Sequence, residues 1–230
     1  MKFAGFQKLT LLDYPEKTAC TAFTAGCNFR CPFCHNSEIA FSTSGIQNEF
    51  SAEEIIDYLV GRKGKIDGIC ITGGEPLLNG EIEEFADRVH KLGFSVKIDT
   101  NGSMYERLER MIKNGLCDYV AMDIKNIPEK YALSAGCMVD VENVKKSVEL
   151  LKQGLVDYEF RTTVVKELNA KEDFEKIGEW LKGGKKYFLQ KFKDSDYVPV
   201  HDFSAYSDDE MREIASTVKG VGYVGLRGAD

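Results

Sequence analysis

No stretch of the 230 residues approaches the roughly 20 consecutive apolar positions of a membrane-spanning helix. Positive charge is also scarce: 30 lysines and arginines face 37 acidic residues, for a net charge of −7, so nucleic acid is a poor default partner. The first fourteen residues, MKFAGFQKLTLLDY, mix apolar and polar side chains and lack the sustained apolar run and small-residue cleavage site of a secretory signal. Low-complexity segments are missing, and the two longest irregular stretches, residues 37–50 and 193–207, have the size of surface loops. These absences leave a soluble, cytosolic chain with no membrane partner. It is expected to form one domain over residues 1–230, with its core at about 16–220, and no second catalytic domain.

A disulfide framework is not expected either. The seven cysteines are odd in number, and three of them crowd into eight residues, which in a cytosolic chain favours metal or catalytic use. That crowd is AGCNFRCPFCHN, with Cys27, Cys31 and Cys34 and no fourth cysteine nearby.

Short β-rich runs alternate with amphipathic helical stretches along the chain. TACTAFTA leads into the cysteines; SAEEIIDYLVGRKGK then opens with an N-cap serine and early acids, with Ile55, Ile56, Leu59 and Val60 on one face. IDGICITGG, SVKIDTNG, CDYVAMDIK, DYEFRTTVV and KYFLQKF read as five further strands, each followed by a helical pattern. Six β-then-α units predict an α/β fold with a parallel sheet. Over this length a partial (β/α)6 barrel is favoured over the closed eight-unit form, which needs about 250 residues.

In such folds chemistry sits at the carboxyl ends of the strands. There the sequence places the cysteines, then TGGEP with Gly73, Gly74 and Glu75, then DTNG with Asp99 and Thr100, then MDIK with Asp123 and Lys125. Clustered thiolates select zinc or an iron–sulfur cluster, and three of them leave one metal position open. A structural zinc with His35 as fourth ligand is one reading, although sequence-adjacent Cys34 and His35 tend to point apart. A cluster with one open iron is the other. Taken singly, GGEP and DTNG read as turns, and Asp123 with Lys125 as an ion pair. Cys20 and Cys70 read as small apolar strand residues, and His90 as a satisfied histidine in a helix.

The C-x3-C-x2-C motif with Phe33 before its last cysteine, on the loop after the first strand, followed by GGEP after the second, resembles the radical S-adenosylmethionine superfamily. The resemblance spans Phe3 to about Phe192 and implies a [4Fe–4S] cluster on Cys27, Cys31 and Cys34, its fourth iron chelated by S-adenosylmethionine. Within the superfamily, CHN after the last cysteine, DTNG and MDIK resemble the enzymes that activate glycyl radical enzymes. The opening GFQKLTLLDYPEKTACTAFTAGCNFRCPFCHN is most similar to the activating proteins of anaerobic ribonucleoside-triphosphate reductase.

That resemblance implies that Phe33, His35, Gly73, Gly74, Glu75, Asp123 and Lys125 surround S-adenosylmethionine, with backbone carbonyls and Glu75 facing its ammonium group. It implies too that Asp99, Thr100 and Asp123 hold a monovalent cation beside it. The histidine that related activases carry near the end of the sixth strand is absent from YFLQKF; Gln190 is its expected substitute, with His201 as the second candidate. Arg161 reads equally as a rim residue or a structural ion pair. Implied partners are a glycyl radical enzyme, anaerobic ribonucleotide reductase foremost, and reduced flavodoxin or ferredoxin as electron donor. With no second C-x2-C, auxiliary clusters are not expected. The alternatives are a radical enzyme acting on a small molecule, such as a 7-carboxy-7-deazaguanine synthase, and a zinc-stabilised interaction module.

Overall fold

The computed structural model describes residues 1–42 and 49–229. In chain order the elements are β1 (Lys2–Phe3), β2 (Gly5–Thr10), β3 (Ala19–Thr24), α1 (Ser37–Ala40), β4 (Phe50–Ser51), α2 (Ala52–Val60), β5 (Gly68–Gly73), α3 (Ile82–Lys91), β6 (Ser95–Thr100), α4 (Tyr105–Lys113) and β7 (Tyr119–Asp123). They continue with α5 (Tyr131–Ala135), α6 (Val141–Lys152), β8 (Asp157–Val164), α7 (Lys171–Trp180), β9 (Lys186–Lys191), α8 (Asp208–Thr217) and β10 (Tyr223–Arg227). Of the loop expected at 37–50, residues 43–48 lie outside the described residues, and α1 takes up its start.

Helix starts follow their sequence signals. Ser51 caps α2 through a reciprocal box in which its hydroxyl accepts the Glu54 N–H at 3.2 Å and Glu54 accepts the Ser51 N–H at 2.7 Å. Ser207 and Glu210 repeat the arrangement at α8.

The six expected strands are present as β3, β5, β6, β7, β8 and β9, and they pair in parallel in that order. Two edge strands were not anticipated: β2 runs antiparallel to β3, and β10, built from the tail that contains GLRG, runs parallel to β9. The eight-stranded sheet ends at β2 and β10, so the barrel is partial. β1 and β4 form a separate two-stranded pair.

Because side chains alternate along a strand, each strand serves two environments. One face packs Ile71, Ile98, Met122 and Phe160 under helix residues such as Phe85, Leu108, Val148 and Phe174 in one continuous apolar core. The other face departs from the bulky aliphatic filling usual inside such barrels: Lys97, Glu159, Asp99 and Arg161 all project there. Glu159, 1% exposed, accepts both guanidinium nitrogens of Arg227 at 2.7 and 2.9 Å and the Tyr119 hydroxyl at 3.0 Å, fastening β10 to the sheet. Among the described residues no helix is long and apolar enough to cross a membrane.

Candidate active site

A cavity of about 260 Å³ opens at the carboxyl ends of β3, β5, β6, β7, β8 and β9, where the motifs were expected to meet. Cys27, Cys31 and Cys34 face it from the loop after β3, and Asp99, Asp123 and Lys125 face it from the strand ends opposite.

The cysteine loop is held from three sides. Arg30 N–H donates to the Ala135 carbonyl at 2.8 Å, and Gly136, at φ +66°, comes so near that a Cβ there would lie 2.0 Å from the Arg30 carbonyl oxygen. Asn36 Nδ2 donates to the Gly73 carbonyl at 3.1 Å, while Asn101 Nδ2 reaches Asn28 Oδ1 at 2.9 Å. The stretch from Lys193 onward, expected as a plain surface loop, packs over the motif: His35 Nε2 meets the Lys193 carbonyl at 2.6 Å and Val200 N–H donates to the Pro32 carbonyl at 3.2 Å. A carbonyl only accepts, so His35 carries its proton on Nε2 in this arrangement.

Burial pushes the Cys27 thiol up to about 11 and the Cys31 thiol up to about 12, while the nearby Lys125 ammonium pulls both back. Thiolates at these positions need a cationic group to neutralise them. A tetrahedral zinc, with Zn–S distances of about 2.3 Å, would draw its thiolates to a common point. Among the described residues no three His, Cys, Asp or Glu side chains close on a single ion. Cys27, Cys31 and Cys34 line one cavity, and a [4Fe–4S] cluster takes its irons from cysteine thiolates of this kind.

After β5, Gly73 has φ +111° and the backbone of Thr24 lies 2.6 Å from where its Cβ would be. At Gly74 the close approach comes from the chain itself, since a Cβ would stand 1.9 Å from the Gly26 carbonyl oxygen. These glycines let the turn after β5 nest against the cysteine loop, with Gly74 N–H donating to Thr24 and Glu75 N–H to Gly26 at 2.9 Å each. The expectation that Glu75 faces a ligand needs correction. Its carboxylate is 1% exposed and accepts from Thr100 Oγ1 at 2.8 Å, Asn101 N–H at 2.7 Å and Leu77 N–H at 3.1 Å, so it ties two turns together beneath the cavity. Burial pushes this carboxyl up to about 7, against the pull of its three donors.

Across β6, β7 and β8 runs a charge ladder of which the sequence showed only parts. Lys97 pairs with Asp99; Arg161 donates to Asp99 Oδ2 at 3.2 Å and to Asp123 Oδ1 at 3.0 Å; Lys125 donates to Asp123 Oδ2 at 3.0 Å. The Lys125 and Arg161 cations hold the Asp123 carboxyl down to about 2 against its desolvation. Arg161 is thus both rim residue and ion-pair partner. Lys97 was missed altogether, because a lone lysine in an apolar run looks like a solvated face; the signal lay in its spacing of two from Asp99, which puts both on one side of the strand. Cys70 is not apolar filler: its sulfur lies 3.5 Å from Lys97 Nζ, while Cys20 does sit in the apolar core.

These contacts do not fit the expected monovalent cation. Every carboxylate oxygen of Asp99 and Asp123 already accepts from a cationic side chain. The Thr100 hydroxyl donates to Glu75 and accepts the Gly102 N–H at 3.1 Å, on the face away from Asp99. Phe33, His35, Gly73, Gly74 and Gln190 all border the cavity. His201 does not; it is exposed and meets Asp194 at 3.1 Å. His90 pairs with Asp118 at 2.8 Å on α3.

Comparison with known proteins identifies the family. The family model described as the radical SAM superfamily matches residues 21–181. A Methanocaldococcus jannaschii protein, provisionally named a glycyl-radical enzyme activating enzyme, is 36% identical over 226 residues, covering 94% of this chain and 91% of its own. The pyruvate formate-lyase-activating enzyme of Listeria monocytogenes is 27% identical over 206 residues, covering 82% of this chain and 77% of its own. Among solved structures, SuiB of Streptococcus suis bound to S-adenosylmethionine shares the fold with a TM-score of 0.69 at 14% identity, over 88% of this chain and 48% of that one. The chain belongs to the radical S-adenosylmethionine superfamily, with glycyl-radical enzyme activating enzymes among its relatives.

Proposed function

We propose that this protein is a single-domain activase that installs a glycyl radical on an anaerobic ribonucleoside-triphosphate reductase, drawing its electron from reduced flavodoxin or ferredoxin in the cytoplasm. The observation that carries the reading is the meeting of Cys27, Cys31 and Cys34 with Asp123, Lys125 and Gln190 around one cavity at the strand ends. The relative that is 36% identical over nearly its whole length supports the activase class.

Cys27, Cys31 and Cys34 would hold three irons of a [4Fe–4S] cluster and leave the fourth for S-adenosylmethionine. When bound, the cluster and S-adenosylmethionine would supply the radical chemistry, a one-electron reductive cleavage of the sulfonium coupled to hydrogen-atom removal from a partner's glycine.

The chain's own residues position and shield. Lys125, held beside Asp123 and 6.0 Å from the centroid of the Phe33 ring, offers its ammonium to the ligand's carboxylate. The Gly73 and Gly74 carbonyls are the acceptors for an ammonium group, and Asn36 sets the first of them. Gln190 would border the ligand in place of a histidine, and His35, its ring fixed by the Lys193 carbonyl, would flank it. Phe29, Phe33 and Phe41 line the cavity with apolar surface that limits water at the reacting atoms. The free edges at β2 and β10 leave a side for a peptide loop to enter. No side chain needs to act as a general base.

The test is anaerobic reconstitution with iron and sulfide, reduction by dithionite with S-adenosylmethionine, and mixing with the reductase. The expected products are 5′-deoxyadenosine, methionine and a glycine-centred radical seen by EPR. 5′-Deoxyadenosine without that radical would point to a small-molecule substrate, and zinc without iron in anaerobically purified protein to an interaction module.

A further inference from the structure

Lys97, Asp99, Arg161, Asp123 and Lys125 alternate in sign across three neighbouring strands, three cations to two anions, with side chains between 2% and 30% exposed. Arg161 stands at the centre. Its Nε and Nη1 bridge carboxylates on two different strands, and the planar guanidinium fork fixes both directions at once. Lys97 closes the inner end between Asp99 and Cys70, and Lys125 closes the outer end at the cavity. A hard metal ion takes oxygen ligands, and here each of the four carboxylate oxygens already takes a charge-assisted bond from a resident cation while the Thr100 hydroxyl serves Glu75. A further positive charge would enter a run that already carries a net +1, at a depth where solvent screens it poorly.

We propose that Arg161 is the resident cation of this site, so that the protein binds S-adenosylmethionine without a monovalent metal ion, and that Arg161 is the positioning residue that aims Asp99 and Asp123. The ligand in this inference rests on the cofactor reading above, whereas the cation argument concerns the chain alone. Removing Arg161 would leave two facing carboxylates with open oxygens, a place an alkali ion can take.

Two measurements separate the inference from that reading. In the first, apoprotein is melted in potassium chloride and in tetramethylammonium chloride at equal ionic strength; midpoints within about 2 °C are expected, and a higher midpoint in potassium overturns the proposal. In the second, the affinity of anaerobically reconstituted protein for S-adenosylmethionine is measured in the same two salts. A ratio below about fivefold, the low end of ordinary linkage between two ligands, is expected, and a larger ratio overturns the proposal. Arg161→Gln is expected to gain at least that much dependence on potassium in affinity or in melting. A folded Arg161→Gln protein indifferent to potassium overturns the role of Arg161, and if the variant does not fold, the wild-type comparison decides alone. Absence of S-adenosylmethionine binding in both salts counts against the cofactor reading and leaves the melting comparison to judge the cation.

Discussion

The buried carboxylate of Glu75 accepts the backbone N–H of Asn101 at 2.7 Å, joining the turn after β5 to the turn after β6 under the floor of the cavity. Glu75→Ala strands that N–H, the Leu77 N–H and the Thr100 hydroxyl without partners. The expected cost is roughly 3 kcal/mol in urea unfolding of the apoprotein, with S-adenosylmethionine affinity falling as well. A loss of under about 0.5 kcal/mol would contradict the bracing role.

Gly136→Ala tests whether a turn more than one hundred residues downstream shapes the cysteine loop. The new methyl would meet the Arg30 carbonyl oxygen from a left-handed backbone position. Destabilisation of roughly 2–4 kcal/mol is expected, together with reduced iron per chain after reconstitution. Full iron loading at wild-type stability would show that the contact is unimportant.

Cys31→Ala and His35→Ala are expected to part company. Losing one of three thiolates should abolish the cluster absorbance and 5′-deoxyadenosine formation. Losing a ring that is engaged by the Lys193 carbonyl should leave iron content near wild type and weaken S-adenosylmethionine binding. Equal loss of metal in both variants would return His35 to the ligand set.

The acid limb of stability should depend on Asp123. Its folded carboxyl is held at about 2, below its ordinary value, so its contribution is complete above about pH 4 and disappears as pH falls toward 2. Unfolding of apoprotein in urea should therefore separate wild type from Asp123→Asn by about 2 kcal/mol at pH 6, and the gap should close toward pH 2. A gap that does not change with pH would contradict the ladder.

Arg227→Ala should destabilise the protein by about 3 kcal/mol, because the Glu159 carboxyl would be left buried with only Tyr119 as donor. Glu159→Gln in the same background is expected to recover part of the loss, since it removes the unpaired carboxyl.

Local rules accounted for much of this molecule. The alternation of β-rich runs with capped amphipathic stretches identified the six central strands and α2 correctly, since burial of one face imposes a period that a single sequence displays. The cysteine spacing and its place after the first strand named the site, because a parallel sheet with crossover helices brings all strand ends to one rim. The edge strands were less visible: GFQKLT and YVGLR are short, and they become strands only because β3 and β9 offer unpaired backbone groups beside them.

What the amino-acid order determined by itself was the fold class, the cysteine triplet and the family it belongs to, all of which rest on neighbours a few residues apart or on strand order. Only the tertiary structure decided the partners of Glu75, Lys97 and Arg161. Their charges come from separate strands, and a buried charge takes whichever opposite charge or donor the packing brings within about 3 Å. For Glu75 that meant the turn after β6 instead of a ligand, and for Asp99 and Asp123 it meant an arginine where a metal ion was expected.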